Sequence, residues 1–223
     1  MTREKGLNRY TRLMADWSGK IIDPIAKRVR PAEEFSDEER RLFDAIFRRF
    51  TEITETVDNL DLCQLFISAP IPRRKGLKLD RYLGYHITFY LQEIYILNER
   101  LESYAKTIMR LKKRGNRDRE IAKRYEPMLD MVRTALSNIV KARGDHVHNR
   151  PFTDTELDEL STYSLLAQFK PEFNDHARFQ YRMARTVWVK RLKENRAAIQ
   201  TLLDGYFDFI YREVTDGLVP AAA

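Results

Sequence analysis

Arg143, Asp145, His146 and His148 fall within the stretch Lys141-Ala142-Arg143-Gly144-Asp145-His146-Val147-His148-Asn149-Arg150-Pro151-Phe152, which holds two of the chain's four histidines. An arginine and a histidine held close together can cleave RNA without a metal. A neutral imidazole takes the proton of a ribose 2′-hydroxyl, while a guanidinium grips the phosphate bidentately and stabilises the charge that builds in the transition state. Histidine suits this work because its unperturbed pKa is about 6.5. Spacing decides which histidine serves. Arg143 and His146, three apart, share a face of an intact helix. Arg143 and His148, five apart, lie about 140° apart on one, so they converge only where the helix ends or distorts near Gly144.

Other chemistries fit less well. Asp145, His146 and His148 suggest a metal, but on a helix the two histidines diverge by about 200°, and zinc needs three or four convergent ligands. The remaining histidines, His86 and His176, have no recognisable ligand spacing; neither a metal nor a cofactor is expected. The chain contains no Gly-x-Ser-x-Gly, no phosphate-cradling glycine loop and no dinucleotide fingerprint. Cys63 is the sole cysteine, which excludes an internal disulfide; its apolar flanks predict burial. His86 reads as a packed helical residue, and His176 as a surface one.

The elements that must position this stretch read as helices. Eight glycines and eight prolines in 223 residues are few, and 43% hydrophobic content is ample for a core. Residues 1–32 carry Trp17, Ile21, Ile22, Ile25 and Val29 among basic side chains, interrupted by Pro24. They are expected to pack on the body as a basic amphipathic segment, an arm that orders on a partner being the alternative. Ser36 and Glu39 form a capping box, after which Leu42, Ile46, Phe50, Ile53, Val57 and Leu60 recur at helical spacing. Pro70 and Pro72 stop any extension. A second long helix is expected from about Asp80 to Arg114.

The next helix begins near Arg117, kinked or restarted at Pro127. Its stripe of Ile121, Tyr125, Met128, Val132, Leu136 and Ile139, continued by four, arrives at Arg143. A charge on a core-facing line needs a partner or a wet cavity. Thr153 and Glu156 form another capping box, with Phe152 and Leu157 as its hydrophobic staple, and start a helix that runs to about Phe169. After Lys170-Pro171-Glu172 a helix from about Asn174 reaches Val214, with Phe179, Met183, Trp188, Leu192, Ile199, Leu203, Tyr206 and Ile210 inward. The aromatics Tyr206, Phe207, Phe209 and Tyr211 read as core. The whole predicts an all-α, antiparallel bundle of four to six helices, one domain over 33–218, with 219–223 as a frayed tail.

A net charge of +7 favours an anionic partner such as RNA. From Lys106 to Arg124 there are nine basic residues and two acidic ones. Lys112, Lys113, Arg114 and Arg117 are therefore candidate nucleic-acid contacts, with Arg150 beside the histidines; a solvated corner between helices is the alternative. No signal peptide and no membrane-length apolar run is visible, so a cytoplasmic protein without a membrane partner is expected.

Arginine, four residues, then histidine at the end of a helix in a basic all-helical chain resembles the signature of the HEPN superfamily. The string Arg-Gly-Asp-His-Val-His-Asn-Arg is also similar to a version in uncharacterised bacterial HEPN-like proteins. The resemblance covers roughly Asp80 to Phe169. It implies a bundle that dimerises so that two motifs face each other across a cleft, and a metal-independent ribonuclease of toxin–antitoxin or phage-defence type, with an antitoxin protein as a partner. It also implies His148 as general base and Arg143 as phosphate ligand, with Asp145 and His146 orienting them. Active members carry a polar residue directly after the arginine, where this chain has Gly144, and some members are non-catalytic binding modules. A purely structural role stays open: Arg143 paired with an acid, Asp145 capping locally, the histidines orienting the turn before Phe152.

Overall fold

The computed structural model describes residues 4–26, 36–70, 76–112, 118–148, 154–216 and 218; for 23–26, 118 and 138–148 it describes the backbone alone. Six α-helices follow one another: α1 (Gly6–Ala26), α2 (Asp37–Ser68), α3 (Leu79–Lys112), α4 (Asp118–His148), α5 (Thr155–Phe169) and α6 (Asn174–Thr215), with one 3-10 turn at Pro171–Phe173 before α6. No strand occurs among the described residues. The chain is an all-α helical bundle.

Identifiable side chains set several of the ends. The Ser36 N–H donates to Glu39 Oε2 at 2.8 Å and the Glu39 N–H donates to Ser36 Oγ at 3.2 Å, so the capping box opens α2 as expected. Asp37, Glu38 and Glu39 place negative charge at the positive end of its dipole. At the other end, the Arg185 guanidinium donates to the carbonyls of Ile67 (2.8 Å) and Ser68, satisfying acceptors that the last turn leaves open. Arg110 and Lys112 complement the C-terminal dipole of α3.

Three boundaries differ from expectation. Pro127 does not restart its helix but lies inside it: α4 is one element from Asp118 to His148. Pro24 likewise lies inside α1. The cap of α5 is Asp154, whose carboxylate accepts from the Leu157 N–H at 2.9 Å, one residue after the expected Thr153, which lies outside the described residues.

The chain divides into two compact units, 1–55 with 98–135 and 199–223, and 56–97 with 136–198. Each of α2, α3, α4 and α6 contributes a stretch to both.

The first unit is built on aromatics. Tyr10, Phe50, Tyr104 and Phe207 are buried, with Tyr10 stacked on Phe207 at 5.1 Å and edge-on to Phe50 at 5.2 Å. Buried hydroxyls need partners. Tyr10 and Tyr104 share a hydrogen bond, and the Tyr206 hydroxyl donates to the Leu101 carbonyl at 2.7 Å. Burial pushes all three phenols above their ordinary pKa. Helix α1 is therefore part of a core, through Tyr10, Met14 and Trp17, while Ile22 is 48% exposed. Its close approach depends on Gly6. A Cβ there would collide with the Asp204 carbonyl oxygen and come within 2.8 Å of the Asp208 nitrogen. Arg9 locks the same contact, donating to Asp208 Oδ1 at 2.7 Å while its guanidinium lies over the Tyr211 ring. Tyr206 and Phe207 are core, as the sequence predicts.

In the second unit Ile67, Leu83, Ile87, Ile94, Leu160 and Leu192 are buried. Cys63 is buried with them, and burial together with the nearby Glu93 charge raises its thiol to about 11. The phase of α6 here departs from expectation. Tyr181, Ala184 and Trp188 face inward, whereas Phe179 (51%) and Met183 (48%) are exposed.

Candidate functional site

Positions 143, 145, 146 and 148 occupy the last turns of α4, in the second unit. The helix is assigned without interruption through Gly144 to His148. An end of the helix at Gly144, on which the meeting of His148 with Arg143 would depend, is therefore not seen, and of the two arrangements left open it is the intact helix that the backbone shows. On this unbroken helix positions 143 and 146 lie about 60° apart, and 143 and 148 about 140° apart. Position 143 continues the line of Tyr125, Met128, Val132 and Leu136, all buried. The side chains of 143–148, and hence the partner expected for Arg143, lie outside the described residues, as does Arg150.

Just beyond this stretch, the start of α5 is held firmly. Asp154 caps the helix with one oxygen and receives Arg191 Nη1 on the other at 2.5 Å. Arg191 Nη2 reaches Glu156 at 3.2 Å, and its guanidinium lies 5.1 Å from the Trp188 ring centroid. A cation from α6 thus fixes the first turn of α5, a tertiary tie that selects Asp154 as the cap.

Of the basic residues proposed to meet nucleic acid, Lys112 is described; Lys113, Arg114 and Arg117 lie outside the described residues. The Lys112 side chain is 11% exposed, with its ammonium 3.0 Å from Glu213 and 3.2 Å from Asp216. Arg124 shares Glu213 at 3.2 Å. Nearby, Lys106 and Arg133 converge on Glu102 at 2.8 and 3.0 Å and hold its carboxyl below the usual range, Arg133 contributing most. Several cations of the 106–133 region are therefore engaged with carboxylates of their own unit.

A different basic surface emerges on α6. Between Asn174 and Ala198 the sequence has seven lysines and arginines against two acids, a surplus of five. Arg178, Arg182, Arg185, Lys193 and Arg196 recur at intervals of four, three, eight and three, which places them in an arc of about 80°. They line two open grooves. The larger, about 750 Å³, carries Arg185, Lys193 and Arg196 with Gln64, Ser68 and Thr186. The smaller, about 420 Å³, carries Arg178, Arg182 and Lys78 with Ser164, Gln168 and Asn174. Each has one carboxylate, Asp61 and Asp80 respectively. The row is readable in the sequence as a helical period of basic residues, but the denser count at 106–124 masks it.

His86 stacks on Phe66 at 5.2 Å and meets Tyr82 edge-on at 4.6 Å; burial lowers its pKa. His176, exposed, lies beside Tyr163 and Phe173. Among the described residues no group of three or more His, Cys, Asp or Glu is placed to hold a metal ion, and no helix is long and apolar enough to cross a membrane. No protein-family model, curated protein or solved structure matches this chain.

Proposed function

We propose that this protein is a HEPN-like, metal-independent endoribonuclease that acts as a homodimer in the cytoplasm, as a toxin or phage-defence effector with an antitoxin protein as its partner. The observation that carries the reading is the unbroken end of α4, where positions 143 and 146 share a helix face. Arg143 holds the scissile phosphate and stabilises its transition-state charge. A histidine of the same turn removes the 2′-hydroxyl proton; the oxygen attacks phosphorus and the 5′-oxygen leaves, giving a 2′,3′-cyclic phosphate. The continuous helix favours His146 as that base, where the resemblance favours His148. Asp145 and the second histidine orient the pair.

Incubation of the purified protein with single-stranded RNA in EDTA tests this. Expected are 2′,3′-cyclic ends, lost in Arg143→Ala and in His146→Ala. Loss in His148→Ala alone would transfer the base to His148 and require the helix end to open, and intact RNA at high protein concentration would overturn the ribonuclease. Gly144, standing where active relatives of this signature carry a polar residue, favours a second reading: a HEPN-like module that binds nucleic acid without cutting it. That reading predicts salt-sensitive RNA association with no product.

A further inference from the structure

We infer that the α6 face bearing Arg178, Arg182, Arg185 and Lys193 is a track for the backbone of single-stranded RNA, with Phe169 and Phe179 as stacking platforms for its bases. The choice of RNA rests on the ribonuclease reading; the track itself rests on charge, shape and exposure.

Charge comes first. An arginine or lysine attracts phosphate only to the extent that its own protein leaves it unneutralised. Arg182 and Lys193 are exposed and have no side-chain partner among the described residues. Arg178 approaches Asp175 only at 3.9 Å, with both side chains mostly in water, so screening leaves that pair weak. Arg185 donates to the last carbonyls of α2, whose partial negative charge offsets part of its own, and has no carboxylate partner among the described residues. Arg196 differs, because Asp61 lies 2.5 Å from its Nε. Arg191, on another side of the helix, is held by Asp154 and Glu156. Four effective cations thus stand along one face. From 178 to 193 the helix rises about 22 Å, with one residue per turn or two, a spacing on the scale of successive phosphates.

Shape selects an unpaired strand. The cations line clefts between helices, and groove walls include Leu65, Val189, Leu77 and Ala167. A cleft of a few hundred cubic ångströms admits one strand with its bases, whereas a duplex meets only the rims. Exposure is the independent observation. Phe169 is 79% exposed and Phe179 51% exposed, and they adjoin in sequence Gln168 and Arg178, which line the smaller groove. Neither ring lines the groove itself; exposed aromatics next in sequence to basic groove residues supply the two partners by which proteins hold single strands, phosphate to cation and base to ring.

The test is fluorescence anisotropy with the full chain, EDTA and a labelled 20-nucleotide 2′-O-methyl RNA, which cannot be cleaved through its 2′-oxygen. Four neutralised phosphates give a slope of about −2.8 in log K against log salt, so affinity falls about 50-fold between 50 and 200 mM KCl. Arg182→Gln with Lys193→Gln halves the slope and reduces that fall to about 7-fold. Phe179→Ala weakens binding by at least about 5-fold with the slope unchanged. Circular dichroism of each variant checks that it is folded. An unchanged slope in the double variant, tighter binding of a 20-base-pair duplex, or no binding at 50 mM KCl overturns the track. Retention of a protein partner by this face in place of RNA does the same. Binding by this face without cleavage of ordinary RNA refutes the ribonuclease and leaves the track standing. Cleavage that survives the double variant with its slope unchanged refutes the track alone.

Discussion

Replacing Asp154 by alanine removes two separable interactions. As the cap of α5, its carboxylate satisfies the Leu157 N–H at 2.9 Å, and loss of such a cap costs about 1 kcal/mol. As an acceptor for Arg191 at 2.5 Å it also forms an ion pair. Because Arg191 is 41% exposed, solvent screening limits that part to about 0.5–1 kcal/mol. The sum is about 1.5–2 kcal/mol, which for a chain of this length lowers Tm by about 3–8 °C. Asparagine caps as well as aspartate does but carries no charge. Asp154→Asn should therefore recover roughly half of the loss, and a cycle of Asp154→Ala with Arg191→Ala should give a coupling of about 0.5–1 kcal/mol that shrinks in high salt. Thermal melts followed by circular dichroism measure all of these. An Asp154→Ala protein that melts with the wild type would refute the reasoning, and so would an Asp154→Asn protein as unstable as the alanine variant.

Lys112→Ala should behave as a core lesion. It leaves the buried Glu213 to Arg124 alone, costs about 3 kcal/mol as broken buried pairs do, and leaves the salt slope of RNA binding unchanged; a stable variant with a reduced slope would make Lys112 a nucleic-acid contact. His86 makes stability depend on pH. Burial among aromatic rings lowers its folded pKa, so the unfolded chain binds the proton more readily. This contribution is complete above the ordinary value of about 6.5 and is lost as pH falls through it towards the lowered one. His86→Phe should flatten Tm between pH 7.5 and 5.5, and an equal slope in the variant would remove His86 as its source.

What the sequence made legible was local. The Ser36–Glu39 box and the break at Pro171 lie within four residues of their partners, so their hydrogen bonds are written in adjacent letters. The cap of α5 was not, because Thr153 and Asp154 are both competent caps and Arg191, far along the chain, fixes Asp154. Phe179 and Met183 misled for a related reason: hydrophobicity marks them as inward, while the packing of Tyr181, Ala184 and Trp188 sets the helix phase and leaves them outside. The residues of the candidate site were named from the sequence alone, and their side chains lie outside the described residues. Its geometry hung on whether α4 survives Gly144, and a helical glycine costs only about 1 kcal/mol, too little to end a helix of 31 residues. Charge counting at 106–124 does not see that Glu102 holds Lys106 and that Glu213 holds Lys112 and Arg124.

The contact of Gly6 and Arg9 with Asp204 and Asp208 joins segments nearly two hundred residues apart. On a ribosome adding about 5–20 residues per second, α1 waits about 10–40 s for the helix that completes its surroundings. Through that interval Tyr10, Met14 and Trp17 have no final seat, and the nascent chain presents an amphipathic segment to whatever is near. Chaperone demand during synthesis should accordingly fall on α1, and be relieved only when α6 has been made.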